Sequence, residues 1–124
     1  MMSKIQLLSD TEKKIMDLVW SKKSPVTTRE IMDELPEARS WKHNTTITFL
    51  SRLIDKGFLT ATRIGKAHHY EALITEKEYL DYETKYFVQR IHKGSMFGFI
   101  ASLCDTGELT KEDIERLMKR LEEE

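Results

Sequence analysis

Trp41-Lys-His-Asn-Thr-Thr-Ile-Thr-Phe-Leu-Ser-Arg-Leu-Ile-Asp-Lys-Gly57 is the stretch whose reading decides the fold. Thr46, Leu50, Leu53 and Ile54 recur at helical spacing on one face, with Phe49 at its edge. Asn44, Thr45, Thr48 and Arg52 share the opposite face. The segment therefore predicts a helix from about Lys42 to Lys56, ended by Gly57. One edge would pack inward, and the other would carry short polar and basic side chains.

Upstream lie two helix starts. Ser9-Asp-Thr-Glu12 is a capping box, opening a helix with Ile15, Leu18 and Val19 in register and Met16 and Trp20 widening the apolar face. Ser24-Pro25 is expected to stop it. Thr27-Thr-Arg-Glu30 is a second capping box, starting a short helix with Ile31, Met32 and Leu35 inside and Pro36 after its end. Downstream, Phe58 to Arg63 has strand character, Ile64-Gly65-Lys66-Ala67 can turn, and His68 to Ala72 returns. Helix, helix, helix and hairpin make the minimal winged helix-turn-helix, with residues 1–73 as a DNA-binding domain.

From Thr75 the character changes. Thr75-Glu-Lys-Glu78 caps a long helix with Tyr79, Leu80, Tyr82, Tyr86, Phe87 and Ile91 on or beside one stripe, and His92-Lys-Gly94-Ser95 is expected to break it. Met96, Phe97, Phe99, Ile100, Ala101 and Leu103 crowd the next segment. Thr110-Lys-Glu-Asp113 caps a last helix whose apolar face is Ile114, Leu117, Met118 and Leu121. Three amphipathic helices alone cannot bury such faces, so residues 74–124 read as a dimerisation region. Tyr79, Tyr86, Phe87, Ile91, Phe97, Ile100, Leu103, Leu117 and Leu121 are the expected dimer contacts. The alternative is that these faces fold back as extra core. The fold class is thus mainly α with a small hairpin: an N-terminal winged helix-turn-helix and a C-terminal helical arm.

Charge supports the division. Residues 1–72 carry 12 Lys and Arg against 9 Asp and Glu, and residues 73–124 carry 8 against 12. Between Arg39 and His69 the bases are Arg39, Lys42, Arg52, Lys56, Arg63 and Lys66, with Asp55 the only acid. The net charge of -1 hides this asymmetry. A lone cysteine, Cys104, allows no disulfide within the chain and fits a reducing compartment. It reads as a buried small hydrophobe beside Leu103 rather than a nucleophile. No apolar run approaches the roughly 20 residues that span a bilayer, and Met-Met-Ser-Lys-Ile-Gln-Leu-Leu is too short and polar for a signal peptide. A cytoplasmic protein without membrane insertion is expected.

The chemistry of the polar edge is that of base reading. Asn pairs bidentately with adenine, Thr offers a hydroxyl and a methyl to thymine, and Arg holds guanine or phosphate. Lys42 and His43 stand beside the helix N-terminus, where backbone donors already favour a phosphate. The plainer alternative is a solvated surface. Thr is a poor helix former, however, and an idle face would more often carry Glu, Lys or Ala. Arg63 and Lys66 flank the wing tip, placed for backbone phosphates. Adjacent His68 and His69 point to opposite faces of a strand, which argues against a metal pair. HExxH, Gly-rich phosphate loops, CxxC and GxSxG are absent from the sequence, so neither enzyme, cofactor nor metal site is expected. A protein-interaction module and a thiol- or metal-responsive regulator stand as the alternatives.

Asp10-Thr-Glu-x-x-Ile-Met-x-x-Val-Trp20, Trp41, Thr45 to Gly57, Gly65-Lys66 through Tyr70, Glu76-Lys-Glu-Tyr79 and Gly94-Ser95 together resemble the penicillinase-repressor family of bacterial regulators, the BlaI/MecI/CopY group. The resemblance runs from about Leu7 to Glu123. It implies a homodimeric repressor of resistance or metal-homeostasis genes, bound to a dyad-symmetric operator in double-stranded DNA. For the antibiotic-responsive branch it implies a membrane sensor protease and cleavage of the dimer arm at an Asn-Phe bond. Ser102-Leu103 stands at that place here. The copper-responsive branch carries a C-terminal CxCxxxxCxC cluster, whereas this chain ends Lys-Arg-Leu-Glu-Glu-Glu, which argues against that switch. After the Trp, antibiotic-responsive members look like Ser-Pro-Lys-Thr; here the stretch is Lys42-His43-Asn44-Thr45, so the operator sequence does not carry over.

Overall fold

The computed structural model describes residues 5–123 apart from Ser24, His92 and Gly94. The breaks expected at Ser24-Pro25 and at His92-Lys-Gly94-Ser95, and the Gly94-Ser95 match, thus fall partly outside the described residues. The chain divides into two compact units, Met1–Tyr82 and Glu83–Glu124.

In the first unit, helix α1 (Asp10–Lys22) is opened by the expected capping box. The Glu12 carboxylate accepts the Ser9 N–H at 2.9 Å, and the Ser9 hydroxyl accepts the Glu12 N–H at 3.2 Å. Strand β1 (Val26–Thr27) leads into α2 (Thr28–Glu34), where Thr27 and Glu30 repeat the same reciprocal bonds. Pro36–Ser40 form a 3-10 turn, opened by a proline at a position where no backbone N–H is needed. Helix α3 (His43–Asp55) follows, then β2 (Leu59–Ile64) and β3 (Ala67–Ala72).

Gly57 and Gly65 shape the exit from α3 and the wing. Gly57 takes φ +83°, and its N–H donates to Ile54 while the Phe58 N–H donates to Leu53 at 2.9 Å. This six-to-one closure ends the helix in the left-handed conformation that glycine reaches without strain. Gly65, at φ +63°, opens a two-residue loop closed by the Ile64–Ala67 pair. A positive φ at the first loop position suits the right-handed twist of the flanking strands. The turn is one residue tighter at each end than the sequence suggested.

The sheet is antiparallel in the order β1-β3-β2, with Val26 opposite Tyr70 and Ala61 opposite Tyr70 on the other side. β1 carries no periodic signal of its own; pairing with β3 creates it. Ile15, Met16, Val26, Ile31, Leu50, Leu53, Phe58 and Leu59 fill the core beneath. Within β2 only Leu59 is buried and within β3 only Tyr70, so the hairpin joins the core at its base and its tip stands clear.

Helix α4 (Glu76–Arg90) begins in this unit, where Thr75 and Glu78 exchange capping bonds. Here one expectation fails. Tyr79, expected on the dimer stripe, has its side chain wholly buried in the N-terminal core. Its ring meets Phe58 edge-on at 5.5 Å, and its hydroxyl accepts the Leu8 N–H at 2.9 Å. A tyrosine with its ring packed and its hydroxyl satisfied gains more from this site than from a solvent-facing stripe. Ile54 also departs from expectation, being 38% exposed.

The second unit holds the rest of α4, α5 (Met96–Asp105) and α6 (Lys111–Glu122). Phe87 meets Phe99 edge-on at 5.5 Å. Thr110 and Asp113 form the expected capping box of α6. Cys104, expected inside, is exposed. It lies near the end of α5, a helix without a buried residue, so the surrounding apolar density does not enclose it.

Candidate nucleic-acid interface

The inner face of α3 is pinned by Thr46, Leu50 and Leu53, all buried. That fixes the outer face. Lys42, His43, Asn44, Thr45, Thr48 and Arg52 are all exposed, as are Arg63 and Lys66 on the wing. Fixed backbone with free side chains is the condition for reading a groove.

The N-terminus of α3 differs from those of α1, α2 and α6. Lys42 caps it without a side-chain hydrogen bond, and its first turn has no acid. The Lys42 carbonyl accepts the N–H groups of Thr45 and Thr46, at 3.0 and 3.2 Å. The helix dipole and the flanking Lys42 and His43 therefore act on an anion without competition from a built-in carboxylate.

Two sequence-predicted side chains are already engaged. The Thr48 hydroxyl donates to the Asn44 carbonyl at 2.9 Å, which commits its proton to the backbone and leaves the oxygen as an acceptor. Arg63 Nε donates to the Gly65 carbonyl at 3.2 Å, holding the guanidinium over the wing tip with its terminal nitrogens unused by that bond. Arg52, Lys42, Arg63 and Lys66 make no ion pair among the described residues, so their charges are available to phosphate.

Two features escaped the sequence. Arg52 lies over the Phe49 ring at 5.6 Å, and Phe49 stacks on Trp41 with centroids 4.9 Å apart. The i, i+3 spacing of Phe49 and Arg52 was the available signal. The second is an ion pair from the last turn of α3 to α1: Lys56 Nζ reaches Glu12 Oε1 at 2.7 Å and the Leu7 carbonyl at 3.3 Å. No local pattern announces a contact between residues so far apart. Burial alone would raise the pKa of the Glu12 carboxyl, but the hydrogen bonds from Lys56 and Ser9 outweigh it and hold it below the ordinary range.

On the second unit the expected dimer contacts fall into two groups. Phe87, Phe97, Ile100, Leu117 and Leu121 are exposed, Phe97 to 83% and Leu121 to 70%. Tyr86, Ile91 and Leu103 are half-buried. Ser102 and Leu103 lie inside α5 and are half-buried, so a protease would need that turn unwound to reach the bond between them. Among the described residues no three His, Cys, Asp or Glu side chains are placed to hold a metal, and no helix is long and apolar enough to cross a membrane.

Comparison with known proteins places this geometry. The penicillinase repressor of Bacillus licheniformis is 32% identical over 122 residues, covering 98% of this chain and 94% of that protein. The methicillin resistance regulatory protein MecI of Staphylococcus aureus is 26% identical over 110 residues, covering 89% of each. Among solved structures, the DNA-binding domain of the repressor BlaI matches with a TM-score of 0.53 and 37% identity, over 63% of this chain and 94% of that one. Bacillus licheniformis BlaI, in monomeric form in complex with the blaP half-operator, matches with a TM-score of 0.50 and 36% identity over the same shares. The penicillinase repressor family model matches residues 8–123. A family model over residues 8–123 and a relative alike over nearly its whole length decide the matter: the chain belongs to the penicillinase-repressor family of transcriptional regulators.

Proposed function

We propose that the chain is a sequence-specific DNA-binding repressor that acts as a homodimer on a dyad-symmetric operator and controls antibiotic-resistance or related stress genes. It is a binding protein, not an enzyme, and works in the cytoplasm. The observation that carries the reading is the outer face of α3. Asn44, Thr45, Thr48 and Arg52 stand exposed there while Thr46, Leu50 and Leu53 lock the helix from beneath. Lys42, His43, Arg63 and Lys66 add phosphate contacts around it. The B. licheniformis relative was solved on a half-operator, which supports the same use of this fold.

The winged helix reads DNA and the helical region beyond residue 73 dimerises, with Tyr79 kept by the head's core. A membrane sensor protease is the proposed upstream partner, with Ser102–Leu103 the bond it would cut once α5 unwinds. The test of DNA binding is a gel shift on the promoter of the chain's own gene at rising salt. Each phosphate neutralised adds about 0.9 to the slope of log affinity against log salt. Steep weakening is expected. Salt-independent binding, or none to upstream DNA, would reject the proposal.

A further inference from the structure

Arg52 is the one Lys or Arg between His43 and Asp55 of α3, and the structure gives it a seat. Its guanidinium lies over the Phe49 ring at 5.6 Å, inside the roughly 6 Å range of a cation–π contact. Phe49 in turn stacks on Trp41, centroids 4.9 Å apart and planes tilted by 32°. Trp41 and Phe49 are both partly buried against the hydrophobic core. Trp41 is further tied by its backbone N–H to the Ala38 carbonyl at 3.0 Å. The three side chains form a column that starts in the core and ends in a charge at the surface.

Such a column solves a specific problem. A free arginine on a helix surface spreads over many rotamers, and ordering it on binding costs affinity. All five N–H donors of a guanidinium lie in its own plane. An aromatic face beneath it therefore orders the group without using any donor. Arg52 makes no ion pair among the described residues, so nothing must be broken before it meets an acceptor.

We infer that Trp41 and Phe49 are positioning residues for Arg52, holding its guanidinium pre-oriented for a pair of acceptor oxygens or nitrogens on the bound duplex. A guanine edge and a backbone phosphate both supply that chemistry. The inference rests on the DNA-binding reading above.

The test is a double-mutant cycle on the full chain, with Phe49→Leu, Arg52→Ala and the pair, plus Phe49→Tyr. The probe is the duplex recovered by selecting a randomised library on the wild-type chain, and thermal melts accompany each titration. Phe49→Leu keeps apolar packing but removes the ring, and is expected to weaken binding roughly two- to five-fold. Phe49→Tyr is expected to bind like the wild type. In the Arg52→Ala background the Phe49→Leu loss should vanish, because the ring then has nothing to position. Loss confined to the selected duplex assigns guanine, and equal loss on unselected duplex assigns phosphate. An equal Phe49→Leu loss with and without Arg52, or no loss at all, would overturn the inference. If the wild-type chain selects no duplex, the DNA-binding reading itself falls and takes this one with it.

Discussion

Glu12 has two tasks at one carboxylate: it completes the capping box of α1 and neutralises Lys56 at the end of α3. The partners are not equally placed. The Glu12 side chain is 4% exposed and that of Lys56 26%. Removing the carboxylate leaves an ammonium that can turn to water, whereas removing the ammonium strands a buried carboxylate. Lys56→Met should therefore cost about 3 kcal/mol, and Glu12→Gln clearly less, in urea denaturation. Equal or reversed costs would dismiss the pair as an anchor. The pH dependence has a definite sign. Because the folded-state pKa of Glu12 is depressed, its contribution is present above the unfolded value and is lost as pH falls through the folded one. In Lys56→Met that acid-induced loss should shrink. Thr48 makes a different prediction. Its hydroxyl proton is committed to the Asn44 carbonyl, so the methyl is the group to test as a base contact. If that methyl meets a thymine, Thr48→Ser should lose about as much specific affinity as Thr48→Ala, roughly 1–3 kcal/mol on the selected duplex. Full retention by Thr48→Ser would make the hydroxyl the reading group instead.

Among the elements, α3 depends on how it stops. At the Gly57 cap, with φ +83°, no atom lies within 4 Å of the place a Cβ would take, so Gly57→Ala meets no steric neighbour and its cost is backbone strain alone. About 1–2 kcal/mol of lost stability is expected, read from the shift in denaturation midpoint. A loss near zero would show that the cap tolerates another conformation. The same element shows what was legible in the sequence. The caps at Ser9, Thr27, Thr75 and Thr110 rest on residues within a few positions of each other and appear where expected, as does the inner face of α3 apart from Ile54, while the Gly65 turn is shorter by one residue at each end. The outer face of α3 was legible for the same reason, because a helix with one face buried exposes the other. β1, the burial of Tyr79 and the Glu12–Lys56 pair depend on residues distant in sequence, and local periodicity holds no trace of them. Tyr79 is the instructive case. Its helix carries Tyr79, Tyr82, Tyr86 and Phe87 on or beside one stripe, and only the tertiary pocket beside Trp20 and Phe58 decides that Tyr79 enters the head's core.

For the whole molecule, the decisive property is apolar surface that one copy leaves open. Phe97, Met96, Met118, Leu117 and Leu121 are all exposed on the second unit, and a contiguous apolar face of this kind is what marks an interaction surface. A second copy covering them would bring two copies of α3 to one duplex, and the gain from linking two half-sites is about 10²-fold or more when geometry permits both to engage. Phe97→Asp separates this from any effect on the protomer. At 83% exposure the ring supports little of its own chain's fold, so melting of the head should be unchanged. In a dimer interface the same aspartate would be buried without a partner, and sedimentation should shift from dimer to monomer. Affinity for a duplex carrying the full dyad should then fall by about the linked gain, while affinity for a duplex with one half-site stays constant. A dimer that persists in Phe97→Asp would place the interface elsewhere on the arm. A monomeric wild-type chain that binds the full dyad no better than one half would show that repression by this molecule needs no second copy.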